Sequence, residues 1–285
     1  MAKEYLFYFR KQINTLVSVL RQQVKLTGFK YCPCCNHYSL FFLNKNYEKK
    51  TKKLCQKWGT GKEFTEQMVK RENNFCTHCL SNYRIRSHAR TILKVFNQKK
   101  ISDFISFLKK NPSFSIYETA NYWVFRNRKI KKLKNYIVSE FHPNFPFGEK
   151  IKGIRNENLE KLTFQKQSFD LVITGEVLEH VADLSKSLTE IYRILKIGGY
   201  HIFTTPVNYS IKKTRLRATK SKNNSVKHLL PPILHGNDVA SGILAFRDFG
   251  ADIDKIVKNH GFSFREDKYY FDSQHITSVY ISQKI

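Results

Sequence analysis

Two groups of residues in this sequence have types and spacings that could do chemistry. In the first group, four cysteines form two Cys-x-x-Cys pairs, Cys32 with Cys35 and Cys76 with Cys79. Each such pair forms a tight turn that points two thiolates at one ion, and two pairs complete a tetrahedral site. We therefore predict a structural zinc ion on these four cysteines. Four thiolates leave no open position, so no catalysis is expected there.

The ligand set of this zinc site has alternatives close by in the sequence. They are Cys34, Cys55, His37 and His78. A redox role is disfavoured because there are two pairs and no thioredoxin-like context. Asn36 follows the first pair, where glycine is common, and asparagine tolerates the left-handed backbone conformation.

The second group follows an apolar run. Residues 169–174 predict a strand that is buried on both faces, and Glu176, Glu179 and His180 come just after it. Ligands of parallel sheets bind at the carboxyl ends of strands, so these residues lie where a site is expected. A histidine in an acidic setting can serve as a base or as a hydrogen-bond donor, although a solvated turn would explain the same residues.

The elements around the second group predict one βαβ crossover. Asp183 can cap a helix whose leucines and isoleucines fall on one face, and Lys196 suits the dipole of its last turn. Gly198 and Gly199 then allow the chain to turn back into a second buried strand at 200–205.

The pattern changes near Asn111-Pro112, where we place a domain boundary. After it, strands and helices alternate, which predicts a parallel sheet covered on both faces. The predicted elements of this half are strands at 114–117, 136–140, 151–154, 169–174 and 200–205, a basic helix at 122–134, and an antiparallel pair at 262–271 and 276–281.

Before the boundary we predict three regions. They are an amphipathic helix within 1–28 (residues 3–26, stopped near Gly28), a zinc-ribbon-like module at 29–82, and a helical connector at 83–111. Within the module, residues 38–43 predict a short aromatic strand and the lysine-rich run 45–57 predicts a solvated loop.

Composition limits the class of protein. The chain has 285 residues, of which 41% are hydrophobic, and no run approaches the ~20 apolar residues of a membrane span. The N-terminus does not resemble a signal peptide, so we expect a soluble cytoplasmic protein.

Net charge is +27, with 29 Lys/Arg against 7 Asp/Glu in residues 1–134. This basic half could bind nucleic acid, but a compositional bias on solvated faces would look the same.

The segment from Asp170 to Pro206 resembles the class I S-adenosylmethionine-dependent methyltransferases. The shared pattern is Asp170-Leu-Val, Glu176-Val-Leu-Glu-His180, and Arg193-Ile-Leu-Lys-Ile-Gly-Gly199. The resemblance covers residues 112–285 and implies an α/β fold with a Rossmann-like, seven-stranded, mostly parallel sheet. It also implies that S-adenosylmethionine is bound over the ends of the first, second and fourth strands.

The resemblance implies roles for particular residues. Glu140 at the end of the second strand would hold the ribose hydroxyls, and Asn158 or the neighbouring Glu157 would accept from the adenine amino group. Thr174, Gly175 and Glu176 would face the sulfonium and the methyl group.

The first loop departs from the family pattern. Glu118 matches the usual acidic residue, but Thr119, Ala120 and Asn121 replace the glycines that let the backbone approach the cofactor. Either the loop binds the donor in a modified way or donor binding is lost. Tyr122 or Trp123 filling the donor pocket would indicate the second outcome.

We therefore predict a methyltransferase with an unidentified acceptor, for which the sequence favours a small molecule or glycan-type compound over RNA. His180, His235 and His228 are the candidate bases, the last two within a substrate-side insert at 207–247. One alternative is an RNA methyltransferase that uses the basic zinc-bearing half. The other is an inactive module of the same fold that binds a partner.

Overall fold

The computed structural model describes residues 23–120, 124–127, 129–221, 223, 225–236, 242–270 and 276–285. The helices are α1 (Lys45–Trp58), α2 (Lys62–Glu72), α3 (Tyr83–Val95), α4 (Ile101–Lys110), α5 (Leu184–Ile194) and α6 (Ile253–Lys258). The first nine strands are β1 (Val24–Cys32), β2 (His37–Asn44), β3 (Phe75–Cys76), β4 (Ile116–Glu118), β5 (Tyr136–Glu140), β6 (Lys150–Ile151), β7 (Ile154–Asn156), β8 (Phe169–Gly175) and β9 (Leu195–Thr204). The remaining strands are β10 (Arg215–Leu216), β11 (Ala218–Lys220), β12 (Val226–His228), β13 (Leu234–His235), β14 (Ile243–Leu244), β15 (Arg247–Asp248), β16 (Phe262–Tyr270) and β17 (Ile276–Lys284).

The larger sheet has the order β16-β17-β9-β8-β4-β5-β7-β6. Strands β9, β8, β4, β5 and β7 pair in parallel, while β17 runs antiparallel between β9 and β16. Within the described residues this sheet has eight strands and not the expected seven, because the two-residue strand β6 adds to the edge beside β7. The protein is thus a mixed α/β fold with a large, mostly parallel sheet.

The order of the strands defines where a ligand can bind. From β4 the chain moves to β5 and β7 on one side, then crosses back to β8 and β9 on the other. The strand order therefore reverses between β4 and β8, and open α/β sheets bind ligands in the crevice at such a switch point. The carboxyl ends of β4, β5 and β8 meet at this edge.

Most of the predicted crossover, which runs from β8 through α5 to β9, is confirmed. Asp183 caps α5 by accepting from the backbone N–H of Lys186, at 3.0 Å. Lys196, however, lies in β9 and not in the last turn of the helix, and its ammonium contacts the Asp170 carboxylate at 2.7 Å. The helix ends two residues early because β9 pairs with β8 from Leu195 onward.

The lysine-rich run 45–57 was wrongly predicted as a loop, because it forms helix α1. Asn44 caps the helix by accepting from the N–H groups of Asn46 and Tyr47. Thr51, Cys55 and Trp58 are buried along one face, at a spacing of four and then three residues. The lysines occupy the other faces of the helix, and they make its narrow apolar stripe difficult to recognise in the sequence.

Two other predicted elements differ from the structure. Among the described residues of 122–134 there is only a 3-10 turn at Ile130–Lys132, so the predicted basic helix is absent there. The predicted helix 3–26 lies mostly outside the described residues, and its last part, from Val24, belongs to strand β1. Gly28 is an irregularity in that strand, where the pairing of β1 with β2 shifts register.

Three further groups of predicted helices and strands are found with shifted boundaries. Residues 83–110 form α3 and α4, and α4 ends before Pro112. The first predicted strand begins two residues late, at Ile116, and the third divides into β6 and β7. The final antiparallel pair is β16 and β17, and its connecting turn lies outside the described residues.

One hydrophobic core joins the cysteine module to the sheet. It includes Cys32 and Cys79 from the module, Ile92 from α3, and Ile173 and Ile202 from the centre of the sheet. His88 on α3 also contacts the backbone carbonyl of Ile202, at 3.0 Å. The sequence boundary near residue 112 therefore crosses a continuous core.

The insert 207–247 contributes short two-stranded ribbons, which pair β10 with β15, β11 with β12, and β13 with β14. None of the helices in the described ranges has the length and apolar character needed to cross a membrane.

Candidate functional site

The four paired cysteines come together. The sulfur atoms of Cys32, Cys35, Cys76 and Cys79 lie within 4.8 Å of one another, and all four residues are buried. Four thiols at this spacing form a donor set that suits a tetrahedral zinc ion.

The two turns that carry these cysteines share one backbone geometry. The N–H of Asn36 donates to the carbonyl of Cys32, and the N–H of Leu80 donates to that of Cys76. Asn36 and Leu80 both have left-handed φ angles, of 69° and 58°. A left-handed leucine costs roughly 1–2 kcal/mol, so the second turn is held in place by its surroundings.

The alternative ligands are not part of this group of four. Cys55 is buried in a separate hydrophobic cluster with Trp58 and Phe64. Cys34 is also buried, but it is not part of the four-thiol group. The exposed rings of His37 and His78 have centroids 3.9 Å apart, and these two residues form a smaller group of potential ligands with Cys35.

Polar groups around the thiols support the same arrangement. The hydroxyl of Ser81 lies 3.1 Å from the Cys79 sulfur and 3.6 Å from that of Cys32. Arg86 is buried behind the second turn and donates to the carbonyls of Asn74 and Ser81, each at 2.6 Å. Its positive charge lies near the thiols and offsets negative charge on them.

At the end of β4, the side chain of Glu118 is fully buried. Its oxygens accept from the Val124 N–H at 2.7 Å and from the Tyr136 hydroxyl at 2.6 Å. Burial raises the pKa of Glu118 to about 6, although these two hydrogen bonds act in the opposite direction. The carboxylate therefore anchors the first loop instead of facing the crevice.

The first loop adopts a glycine-like backbone without glycine. Thr119 is buried, and its N–H donates to the carbonyl of Ile173. Ala120 is exposed and has a left-handed φ of 58°. Asn121, Tyr122 and Trp123 lie outside the described residues. Whether Tyr122 or Trp123 fills the donor pocket therefore stays untested.

At the end of β5, Glu140 is partly exposed at the crevice edge. The predicted adenine acceptors are engaged with the protein. Both oxygens of Glu157 accept from Thr163, and Oε1 also accepts from Arg155 at 2.6 Å. The side-chain Oδ1 atom of Asn158 accepts from the backbone N–H of Glu160.

At the end of β8, the side chains of Thr174 and Glu176 have partners within the protein, so only the backbone there can serve the predicted site. The Thr174 hydroxyl points into the sheet and contacts His201 at 2.9 Å. After Gly175, Glu176 has a left-handed φ of 55° and pairs with Arg71 of α2, at 2.8 and 3.2 Å. Burial alone would raise the pKa of Glu176, but the guanidinium groups of Arg71 and Arg84 lower it to about 2.

Glu179, which is buried, and His180 and His235, which are partly buried, form a cluster beside this ion pair, with one ligand atom of each within 4.8 Å of the others. The two imidazole rings lie 4.6 Å apart, and burial lowers the pKa of both, that of His235 to about 3. Burial, followed by the charge of Glu176, raises the pKa of Glu179 to about 8. His228 is not part of this cluster: it is exposed on the β11–β12 ribbon.

The cysteine module and the insert cover this strand end together. Trp58 of α1 stacks on His235 at 5.1 Å and donates its indole N–H to Asp248 at 2.7 Å. Ile233 of the insert packs with Trp58, Phe64 and Met68.

Sequence reasoning missed Arg71, although a signal was present. Phe64, Met68 and Arg71 recur at a spacing of four and then three residues, so the arginine falls on the apolar face of α2. A charged residue on a buried face indicates a buried partner.

Asn156 was also missed: it holds the loop after β5 by donating to the carbonyls of His142, Phe145 and Pro146.

Comparison with known proteins gives one family match. Residues 137–203 match the family model described as "Methyltransferase domain", from within β5 to within β9. A protein of Mycolicibacterium smegmatis described as a "Probable S-adenosylmethionine-dependent methyltransferase" is 36% identical over 53 residues. That segment is 19% of this chain and 21% of the relative, so the chain spans about a fifth of the length of the relative that it matches.

Solved structures show similarity at low sequence identity. An S-adenosylmethionine-dependent methyltransferase from Mesorhizobium loti is 13% identical, with 60% of this chain and 91% of that chain covered and a TM-score of 0.39. The 1,6-didemethyltoxoflavin-N1-methyltransferase of Burkholderia thailandensis, with S-adenosylhomocysteine bound, is 14% identical, with 63% and 76% covered and a TM-score of 0.34. The fold class rests on the strand order and not on these similarities.

Proposed function

We propose that the chain is an S-adenosylmethionine-dependent methyltransferase. The observation that carries the proposal is the reversal of strand order between β4 and β8, within a chain whose residues 137–203 match a methyltransferase domain. The crevice expected at this reversal is where an α/β sheet binds a nucleotide-like ligand.

The donor would be held by fewer side chains than the sequence predicts. Glu140 is partly exposed at the end of β5 and can accept from two ribose hydroxyls. Ala120, exposed and left-handed, offers the backbone approach that glycine usually provides. Gly175 is the last residue of β8, which is the third strand end at the proposed donor site. Glu118, Glu157, Asn158 and Thr174 would support this site through the contacts they make within the protein.

S-adenosylmethionine supplies a methyl group on a sulfonium, which is already a good leaving group. Holding the acceptor in line therefore accounts for most of the rate that the protein must provide. We assign the acceptor side to His180 and His235, whose rings lie 4.6 Å apart beside Glu179. His228 is exposed on a ribbon and has no part in this assignment.

We propose a small molecule or glycan-type compound as the acceptor. The support is that Trp58, Phe64, Met68 and Ile233 pack together beside the end of β8, because a strand end that is covered in this way suits a compound small enough to be surrounded. The four buried cysteines would bind a structural zinc ion that stabilises the module behind this cover.

An RNA acceptor is the second candidate because α1 presents an exposed basic face. Its exposed lysines are Lys45, Lys49, Lys50, Lys52, Lys53 and Lys57. Retention on RNA that weakens steeply with salt would favour this candidate, since phosphate contacts release counterions.

Titration calorimetry with S-adenosylmethionine and S-adenosylhomocysteine tests the main proposal. Binding of both is expected, together with thermal stabilisation of the chain. Absence of heat and of stabilisation with either compound would favour the binding module without chemistry.

A further inference from the structure

The cluster of Glu179, His180 and His235 contains polar atoms that the described protein leaves unpartnered. Glu179 is 1% exposed, and one of its oxygens accepts from the Thr205 hydroxyl at 2.9 Å. The other oxygen, Oε1, is buried and has no hydrogen-bond partner. The Nε2 atom of His235 is also buried without a partner. Buried polar atoms are rarely left unpaired, so these two atoms indicate a missing ligand.

The third member of the cluster has a fixed orientation. The Nδ1 atom of His180 lies 2.9 Å from the backbone carbonyl of Leu244. A carbonyl can only accept, so Nδ1 carries the proton and Nε2 has a free electron pair. Nε2 lies 3.8 Å from the unpartnered oxygen of Glu179, too far for a hydrogen bond. Histidines that bind metals are held in this way, through the ring nitrogen that does not touch the ion.

His235 is positioned from the opposite side. Its ring stacks on Trp58 with an interplanar angle of 27°, and Trp58 is fixed in turn by its hydrogen bond to Asp248. Asp248 also accepts from Arg215 and Arg217, at 2.6 and 2.7 Å. The ligand atoms of the cluster therefore come from two supported segments, the turn after β8 and strand β13.

We propose that Glu179, His180 and His235 bind a divalent transition-metal ion, at a site separate from the four cysteines. Two imidazoles and one carboxylate form a donor set that suits Zn²⁺, Mn²⁺ or Fe²⁺ and leaves coordination positions open. The neighbouring carboxylate of Glu176 is already paired with Arg71 and Arg84. The negative charge for the ion would therefore come from Glu179, which would release its proton when the ion binds.

The location of the ion indicates its role. The cluster follows β8 by a few residues, at the strand edge where we place the methyl donor. The open positions would bind a hydroxyl of the acceptor and lower its pKa, so that the oxygen bonds to the methyl carbon while the carbon–sulfur electron pair returns to sulfur. The hydroxyl proton passes to water. This role rests on the proposed function, whereas the metal site does not.

Cobalt titration of the full chain, freed of metal, tests the site. Wild type should bind two equivalents, one with the strong near-ultraviolet charge-transfer bands of thiolate ligands and one with only weak visible bands. Glu179→Gln and His235→Gln should lose the second equivalent and keep the thiolate bands. His228→Gln, which changes an exposed histidine of the same insert, is the matched control and should bind two.

The outcomes separate this inference from the proposed function. A single equivalent in wild type, or two equivalents in both cluster variants, would overturn the metal site even if S-adenosylhomocysteine still binds. Two equivalents in wild type and one in the cluster variants would support the site even if the donor does not bind. Retained thiolate bands show that a variant is folded around the cysteine module, so loss of the second equivalent cannot come from unfolding there.

Discussion

Arg71 and Glu176 form a two-point ion pair across 105 residues of sequence, with nitrogen–oxygen distances of 2.8 and 3.2 Å. Their side chains are only 4% and 17% exposed. The pair connects helix α2 of the cysteine module to the first residue after β8. It therefore fixes the module over the strand end where the methyl donor and the acceptor are expected to meet.

Replacing Arg71 by methionine should destabilise the protein by about 3 kcal/mol, because it leaves the Glu176 carboxylate buried with only Arg84 nearby. The double variant R71M/E176Q should recover most of this loss, since it removes the stranded charge. Urea unfolding near pH 7 measures both. Lys52→Met, which breaks an exposed pair with Glu48, is the control and should change stability by less than about 0.5 kcal/mol. Equal losses in the single and double variants would contradict the role of the pair.

Glu140→Ala should weaken binding of S-adenosylhomocysteine about 10- to 100-fold, because a carboxylate that accepts from ribose hydroxyls contributes roughly 1.5–3 kcal/mol. Titration calorimetry measures the change. Glu149→Ala removes an exposed carboxylate from the following loop and should leave the affinity unchanged. If both variants bind like wild type, Glu140 does not hold the ribose.

Glu118 should make stability depend on pH. Its pKa of about 6 in the folded protein is above the usual value of 4.5, so folding favours the protonated form. Its contribution is fully present below about pH 4.5 and is lost as the pH rises through 6, by about 2 kcal/mol in all.

Glu118→Gln should remove this dependence, because the amide can still accept from Val124 and can donate to the Tyr136 hydroxyl. The difference in unfolding free energy between the variant and wild type should therefore shift in favour of the variant between pH 4.5 and 7. A difference that stays constant over this range would show that Glu118 titrates normally.

Cys76→Ser should abolish binding of zinc by the module, because three thiolates and a hydroxyl bind the ion far less well than four thiolates. Cys55→Ser is a matched control, since Cys55 is equally buried but lies outside the group of four. Zinc content after dialysis measures both variants. Loss of zinc in Cys55→Ser instead would mean that the ligands are not the two Cys-x-x-Cys pairs.

Ala120→Gly should retain or slightly raise stability, by up to about 1 kcal/mol, since glycine adopts a φ of 58° without cost to its side chain. Ala251→Gly, at a position whose φ is not left-handed, should instead destabilise. Thermal unfolding compares the two. A loss of stability in Ala120→Gly equal to that of the control would show that the left-handed loop is not maintained in solution.

The sequence predicted elements that depend on local pattern. The apolar run 169–174, the cap at Asp183 and the paired cysteines are each determined by neighbours a few residues away, and each is found in the structure. Thr174 could not be assigned in this way. Its hydroxyl contacts His201, a residue of the adjacent strand, and only the pairing of β8 with β9 brings them together.

The pairing of strands distant in sequence also determines which candidate residues already have hydrogen-bond partners within the protein. Glu157 accepts from Arg155 and Thr163 because a tight turn follows β7, and Glu118 accepts from Tyr136 because β4 and β5 pair in register. The sequence indicates which residue types lie near the strand ends, but the hydrogen-bond partners of these residues depend on strand order.

The continuous core between the cysteine turns and the sheet has a consequence for how the protein unfolds. Cys32 and Cys79 belong to the same hydrophobic core as Ile92 on α3, and this core reaches Ile202 at the centre of the sheet. A molecule with the module unfolded and the sheet intact would expose one side of this core to water, so such a half-folded species is disfavoured. Module and sheet should therefore melt together in a single cooperative transition, and an ion bound by four cysteines would raise the melting temperature of a sheet that it does not touch.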